Sequence, residues 1–436
     1  MNISIFNHSK SICFSTLLSA VLILSACGTE PIIRSPEEPG TEPGTKTETG
    51  TETETGTGTE ISYTHTLRVN RNGTYKTIAA VAAAAKDSTL IEIEAGTYSG
   101  DVAQWTQNEI HIRAVGGEVI LDAAGKSFGG KGIWEIASKG RVKVEGFTFQ
   151  NSTVPDRNGA GIRFASGDLT VVNCRFLHNE MGILTGNLPE TTLTVRNCEF
   201  AYSGYGDGYS HNLYVGTIDK VIVTGSYFHH AKDGQLLKSR ARLSIVRYNR
   251  VTDENDAESE ASYELDFPSG GIAVVVGNVI QQSVNSPNTA IVAFTEEYNN
   301  KWPVNALYLS HNTVLNYRTS GTNPLISPSS NIPASSIVLV NNLIESNIGM
   351  PQAGWLRTNT GNERFGKANV NGSFVPSSAL YNSLLNKIAK NIDDLLPANL
   401  KQQGISLIPA EEYVHPLKTE KLTAAPKIPG AMQKSQ

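Results

Sequence analysis

Between residues 163 and 266 lie side chains able to move protons and hold anions. Lys238 and Arg240 stand two residues apart in "QLLKSR", and Glu264 and Asp266 stand two apart in "YELDF". His211, Asn212 and Tyr214 fall together in "HNLYV", His229 and His230 in "FHH", and Arg163 in "GIRF". On a strand, a spacing of two puts both side chains on one face. Arg163, Asn212, Tyr214, Lys238, Arg240, Glu264 and Asp266 are therefore expected to face outward. Ile162, Phe164, Leu213, Val215, Leu237, Ser239, Tyr263, Leu265 and Phe267 then face a core. A slip of one residue would bury the charges, and the desolvation cost disfavours it.

Two chemistries suit these residue types. The first is β-elimination on a uronate-containing polysaccharide. It needs a cation on the substrate carboxylate, a base for the proton α to that carboxylate, and an acid for the leaving oxygen. Lys238 is the candidate base, activated by crowding against Arg240. Arg240 would grip the carboxylate with both arms of its guanidinium, and Tyr214 or His211 would supply the acid. Glu264 and Asp266 are candidate ligands for Ca²⁺, a hard cation that prefers oxygen. Asn212, Arg163 and the turn residues His229 and His230 are candidate substrate contacts.

The second chemistry is hydrolysis by two carboxylates. Glu264 and Asp266 would project about 7 Å apart from one strand face, with Asp207 and Asp233 as further candidates. A non-catalytic reading also stands: a glycan-binding, adhesin-like scaffold in which the charges are cross-strand ion pairs.

These residues must be carried by strands in successive turns of something repetitive. The segments "VEGFTF", "VVNCRF", "VRNCEF", "VTGSYF", "VRYNRV", "VVGNVI", "LSHNTV" and "LVNNLI" share one plan. A branched apolar residue opens each, a small or polar pair follows, and an apolar residue closes. Their fourth positions are Phe147, Cys174, Cys198, Ser226, Asn249, Asn278, Asn312 and Asn342, recurring every 23 to 34 residues. Short β units with Gly, Asn and Asp turns at that period describe a solenoid of stacked parallel strands. Equivalent positions should then form ladders about 4.8 Å apart. Cys174 and Cys198 would be buried ladder neighbours, expected as free thiols with a disulfide as the alternative.

The 436 residues include 39 glycines and only 7% aromatics, which suits many turns. The formal charge of −5 is uneven: residues 30–60 hold a net −6, and residues 61–436 carry none. A wholesale nucleic-acid binder should be basic, so none is expected as partner. Lys10 precedes the apolar run "ICFSTLLSAVLIL", which reads as an export signal and is short for a membrane span. Residues 27–62 are dominated by Thr, Glu, Gly and Pro and read as a disordered tether.

The repeats, with the alanine-rich helix near residue 80 and the strand "IEIEAGTY", resemble right-handed parallel β-helix proteins of the pectate-lyase-like superfamily. The resemblance spans roughly residues 66–350. It implies an all-β solenoid with an N-terminal capping helix; the superfamily hosts lyases, hydrolases, epimerases, adhesins and tailspikes. A Lys and an Arg at the site are loosely similar to β-helix lyases acting on alginate or chondroitin. "LSAC", ending at Cys27, resembles the lipobox of bacterial lipoproteins, which implies cleavage before Cys27 and a lipid on its sulfur. Gly28 in the next position favours the outer membrane, on either face.

The expected organisation is a signal over 1–26, lipidated Cys27 and tether over 27–62, β-helix over 63–350, and a C-terminal cap over 351–436. An amphipathic helix is expected there, with Leu380, Leu384, Ile388, Ile392 and Leu395 on one face. The expected function is a tethered, monomeric lyase of an acidic polysaccharide.

Overall fold

The computed structural model describes residues 63–297, 302–319 and 321–436. The export signal, Cys27 and the tether lie outside the described residues.

Short strands pair in parallel with strands one coil away, building a solenoid of stacked coils with three strand positions per coil. One position runs through Leu213–Val215, Leu237–Ser239, Leu265–Phe267 and Val292–Phe294. The second runs through Ile218–Thr224, Leu243–Arg247, Ile272–Val276 and Ala306–Ser310. The third runs through Glu199–Ala201, Tyr227–His229, Arg250–Thr252 and Val279–Gln282. The pairing reaches Leu356–Thr360 and Glu363–Phe365, a little past the boundary expected at residue 350.

The repeated segments form the corner between the second and third positions. The residue before each marker takes a left-handed backbone: Gly146, Asn173, Asn197, Gly225, Tyr248, Gly277, His311, Asn341 and Gly361 all have φ between 51° and 88°. Gly and Asn adopt that conformation with little strain, which explains the small or polar pair in the repeat. From Cys174 onward, each marker side chain accepts the backbone N–H of the marker one coil earlier. Cys198 Sγ accepts from Cys174 at 3.4 Å, and Ser226 Oγ accepts from Cys198 at 3.1 Å. Asn249, Asn278, Asn312 and Asn342 continue the series at 2.9 Å per step. Cys174 and Cys198 are buried free thiols.

This column satisfies polar groups that no water can reach. Asn278→Ala would strand the N–H of Asn249 and take the amide donor from the carbonyl of Val246. It is expected to cost about 1–3 kcal/mol in urea unfolding. A loss below a few tenths would show the column to be dispensable.

Inside the coils, Phe149, Phe176, Phe200 and Phe228 stack face to face with centroids 4.7–5.1 Å apart. The N-terminal end is closed by helix Ile78–Ala84, which buries Ile78, Val81 and Ala82. Thr77 caps it, and Asp101 accepts the N–H groups of Ile78 and Ala79. These caps place acceptor oxygens where the helix leaves its donors unpaired.

The single long C-terminal helix does not form. Helix Ser378–Leu384 ends before Asn386, and Asn391 precedes a short 3-10 turn, Ile392–Leu395; both asparagines are left-handed. The break lets Leu384 pack in one apolar cluster while Ile392 and Leu395 pack in another, against Leu243, Val274 and Tyr308. The hairpin Glu411–Val414 with Lys418–Lys421 follows, the one antiparallel pair among the named strands of the described residues.

Candidate active site

Strand pairing in the first position aligns one outward-facing column across eight coils. It reads Gln104, Glu135, Arg163, Leu184, Tyr214, Lys238, Asp266 and Ala293. Adjacent members are about 4.8 Å apart along the stack. Arg163, Leu184 and Tyr214 line a cleft of about 410 Å³, whose rim includes Lys131, Asp156, Arg157, Asp207 and Tyr209. Beyond Tyr214 the column continues into Lys238 and Asp266.

Tyr214 is held from two sides. His211 stacks on its ring at 5.6 Å with 7° between the planes. Arg240 Nη1 donates to its hydroxyl oxygen at 2.5 Å. Because that oxygen accepts from Arg240, the phenolic proton must point elsewhere. Arg240 is itself fixed by Glu297: Nε donates to Oε2 at 2.9 Å and Nη2 donates to Oε1. Burial opposes the charge on Arg240, but the hydrogen bonds to Glu297 outweigh it and raise the guanidinium pKa. Burial likewise opposes the charge on Glu297, and Arg240 holds that carboxyl below its usual range. Arg240 is thus committed to a protein carboxylate. The expectation that it grips the substrate is corrected to a positioning role.

Lys238 Nζ lies 3.0 Å from Asp266 Oδ2, with both side chains largely buried. Burial lifts the Asp266 carboxyl to about 6 despite the pull of Lys238, and Asp266 Oδ1 has no hydrogen-bond partner. The neighbour that Lys238 meets is therefore this carboxylate, because the charge of Arg240 is already balanced. Arg163 differs from both. Its one hydrogen bond among the described residues runs from Nη1 to the Thr185 carbonyl at 3.3 Å, and burial lowers its pKa.

Five further site residues are corrected. Asn212 is fully buried: its Nδ2 donates to the carbonyls of Phe200 and His229, and its Oδ1 accepts the Ser203 N–H. It closes a corner and cannot reach substrate. Glu264 stands at the equivalent corner position, one residue ahead of its strand, and is also fully buried. Strand alternation starts only at Leu265, so Glu264 turns inward while Tyr263 is only partly buried and reaches Glu296. Glu264 and Asp266 thus share no face, which removes them both as a hydrolytic pair and as joint calcium ligands. Among the described residues, no three His, Cys, Asp or Glu side chains converge on a metal-sized point.

His211, the third, is 2% exposed and its Nδ1 accepts the Gln235 N–H at 3.1 Å. Burial, then the charges of Lys238 and Arg240, hold its pKa well below the usual value. A neutral imidazole so held supports the Tyr214 ring and does not serve as the acid. His229 and His230 also leave the site. His229 stacks on Tyr227 at 4.0 Å and meets Glu199 at 3.2 Å; His230 stacks on Tyr202 at 4.7 Å and meets Asp256 at 2.9 Å. None of these residues lines the cleft.

The interior position of Glu264 has a measurable consequence. Both of its oxygens lack partners, and burial, then the nearby Asp253 charge, raises its carboxyl well above the normal range. Burial also lifts Asp253 to about 7. Both groups hold protons in the fold that the unfolded chain releases near about pH 4. Their stability contribution is full below that pH and is lost as pH rises through the folded values. Glu264→Gln keeps the neutral shape, so its thermal stability should gain on the parent with rising pH. The gain should approach about 1.4 kcal/mol per unit once pH passes the unfolded value and level off above the raised folded one. Parallel melting curves across that range would contradict it.

Glu297 escaped the sequence reading because it follows an apolar strand and lies 57 residues from Arg240. Its one signal is "TEEYNN" directly after "TAIVAF", beside the small Ala293 that follows Asp266 in the column.

No family model matches the chain, and no curated protein matches it. Among solved structures, pectate lyase Pel9A aligns with a TM-score of 0.53 at 14% identity, covering 86% of this chain and 98% of that one. The match shows a shared fold, the right-handed parallel β-helix. A pectin methylesterase solved with a hexasaccharide aligns at 0.32 and 13% identity, covering 78% of this chain and 100% of that one. One from Aspergillus niger aligns at 0.27 and 10%, covering 72% and 88%. Both are too distant to bear on the site.

Proposed function

We propose that the cleft binds an acidic polysaccharide and breaks it by β-elimination, with Tyr214 and Lys238 moving the protons. The observation that carries this reading is the column Arg163, Leu184, Tyr214, Lys238, in which a guanidinium with no close ion pair among the described residues and an oriented phenol face one cleft.

Arg163 pairs with the substrate carboxylate, which stabilises the carbanion character that develops beside it. Tyr214, once its own hydroxyl proton has passed to solvent, takes the α proton as a phenolate. Arg240, held by Glu297, donates to the phenolic oxygen and fixes its position in the cleft. The electron pair of the broken C–H bond forms the new double bond, and the β carbon–oxygen bond breaks. Lys238, an ammonium against Asp266, gives a proton to the departing oxygen. This exchanges the earlier assignment, since a lysine in an ion pair is a donor. Tyr214 then gives this proton to solvent and the neutral Lys238 takes one back, which resets both groups.

If Cys27 carries a lipid, the chain would act as a monomer tethered to a membrane surface. Calcium stays in the proposal only as a substrate counter-ion, with no ligand assigned.

Polygalacturonate, alginate and chondroitin, each tried with and without Ca²⁺, are the first substrates to offer the purified protein. The expected result is growing ultraviolet absorbance from unsaturated uronyl ends on at least one of them. New reducing ends without that absorbance would move the reaction to hydrolysis. No product from any acidic chain would favour a binding scaffold.

A further inference from the structure

We propose that the loop of residues 204–210 is a second sugar subsite of the cleft, with Tyr209 as a stacking platform and Arg157 as its cation. The proposal rests on reading the cleft as a polysaccharide site and says where the neighbouring sugar unit goes.

Tyr209 is 82% exposed and lines the cleft. A tyrosine so exposed adds little to a core, and its ring is available to a ligand. The loop beneath it is braced. Tyr209 N–H donates to Asp207 Oδ1 at 3.1 Å, and Tyr205 N–H donates to Ser210 Oγ at 2.7 Å. At its base, Gly204 has φ +123°, and a Cβ there would sit 2.6 Å from the Lys232 carbonyl oxygen. The loop is therefore pressed against the next coil in a shape only glycine permits.

Arg157 reaches this loop from an earlier coil. Its guanidinium covers the Tyr205 ring at 4.2 Å and lies 3.5 Å from Asp207 Oδ2. The contact to Asp207 is at the limit of a hydrogen bond, and Arg157 remains 54% exposed. It can therefore turn toward an incoming carboxylate without leaving a buried charge behind. A pyranose presents a face of C–H groups, which fits the tyrosine ring, and an acidic rim, which fits the arginine. Arg163 and Arg157 line the same cleft, so the occupant that suits both carries a carboxylate on more than one unit.

Steady-state kinetics on the full chain tests this with whichever of polygalacturonate, alginate or chondroitin is turned over. Tyr209→Ala should raise KM about ten-fold, the effect of an aromatic contact worth about 1.4 kcal/mol, with kcat little changed. Tyr209→Trp should restore KM. An unchanged KM, or a Trp variant that behaves like Ala, would overturn the subsite. If the parent protein turns over none of these chains, the catalytic reading fails while the subsite stays testable by retardation in gels containing the same three polymers. Retardation of the parent that Tyr209→Ala abolishes supports the subsite. Equal migration of the two proteins overturns it.

Discussion

Tyr214→Phe is expected to lower the turnover of an acidic polysaccharide by about a hundred- to ten-thousand-fold, the range for removing a positioned proton-transfer group. Substrate affinity and melting temperature should barely move. The substitution keeps the ring that stacks on His211 and removes only the oxygen that Arg240 touches. Arg240 retains both contacts to Glu297, so no buried charge is stranded. A variant that turns over at the parent rate would remove Tyr214 from the chemistry. A variant that loses binding and turnover together would make it a substrate contact. Kinetics over a range of substrate concentrations separates the two.

Lys238→Met should have the second large effect, and on two quantities at once. It leaves Asp266 buried with one oxygen unpartnered and the other deprived of its ammonium. Breaking a buried pair from one side costs about 3–5 kcal/mol. Adding Asp266→Leu removes the stranded carboxyl, and the double variant should regain most of that stability, since apolar replacements of buried pairs are often neutral. Activity should stay lost in both, because the proton donor is gone. If the double variant recovers activity as well as stability, Lys238 serves the fold and not the reaction. If the single variant is as stable as the parent, the pair is more hydrated than its burial implies.

The fold was legible because a solenoid repeats its own constraints. The marker positions from Phe147 to Asn342 emerged from pattern alone, and they line up as one hydrogen-bonded column. Strand alternation also placed Arg163, Tyr214, Lys238 and Asp266 outward correctly, since each lies within a paired strand. It failed one residue earlier. Asn212 and Glu264 sit at corners, where the chain turns and alternation has not begun, so both point inward. At Glu264 the desolvation cost falls on a charged carboxylate, and the carboxyl enters the core by keeping its proton.

The partners of the site were harder to read than its members. Glu297 comes from a loop far along the chain, and neither alternation nor spacing connects it to Arg240. Along the chain, Lys238, Arg240, Arg242, Arg247 and Arg250 read as one basic patch. In the fold its members part company: Arg242 pairs with Asp219, Arg250 with Glu254, and Arg240 with Glu297. Linear charge density cannot show this, because consecutive residues of one coil face different sides of the solenoid. The predicted helix over residues 380–395 failed for a local reason, the two left-handed asparagines that divide it.

Elimination and hydrolysis differ in whether water enters the product, and that difference tests the central claim most directly. The purified protein should be run on a chain it cleaves, in heavy-oxygen water, with the products weighed by mass spectrometry. Each cut is expected to yield fragments whose masses sum to that of the substrate, one bearing a double bond, with no heavy oxygen at the new reducing end beyond slow exchange. Heavy oxygen appearing in step with cleavage would mean that water attacks the bond, and the roles assigned to Tyr214 and Lys238 would then be wrong.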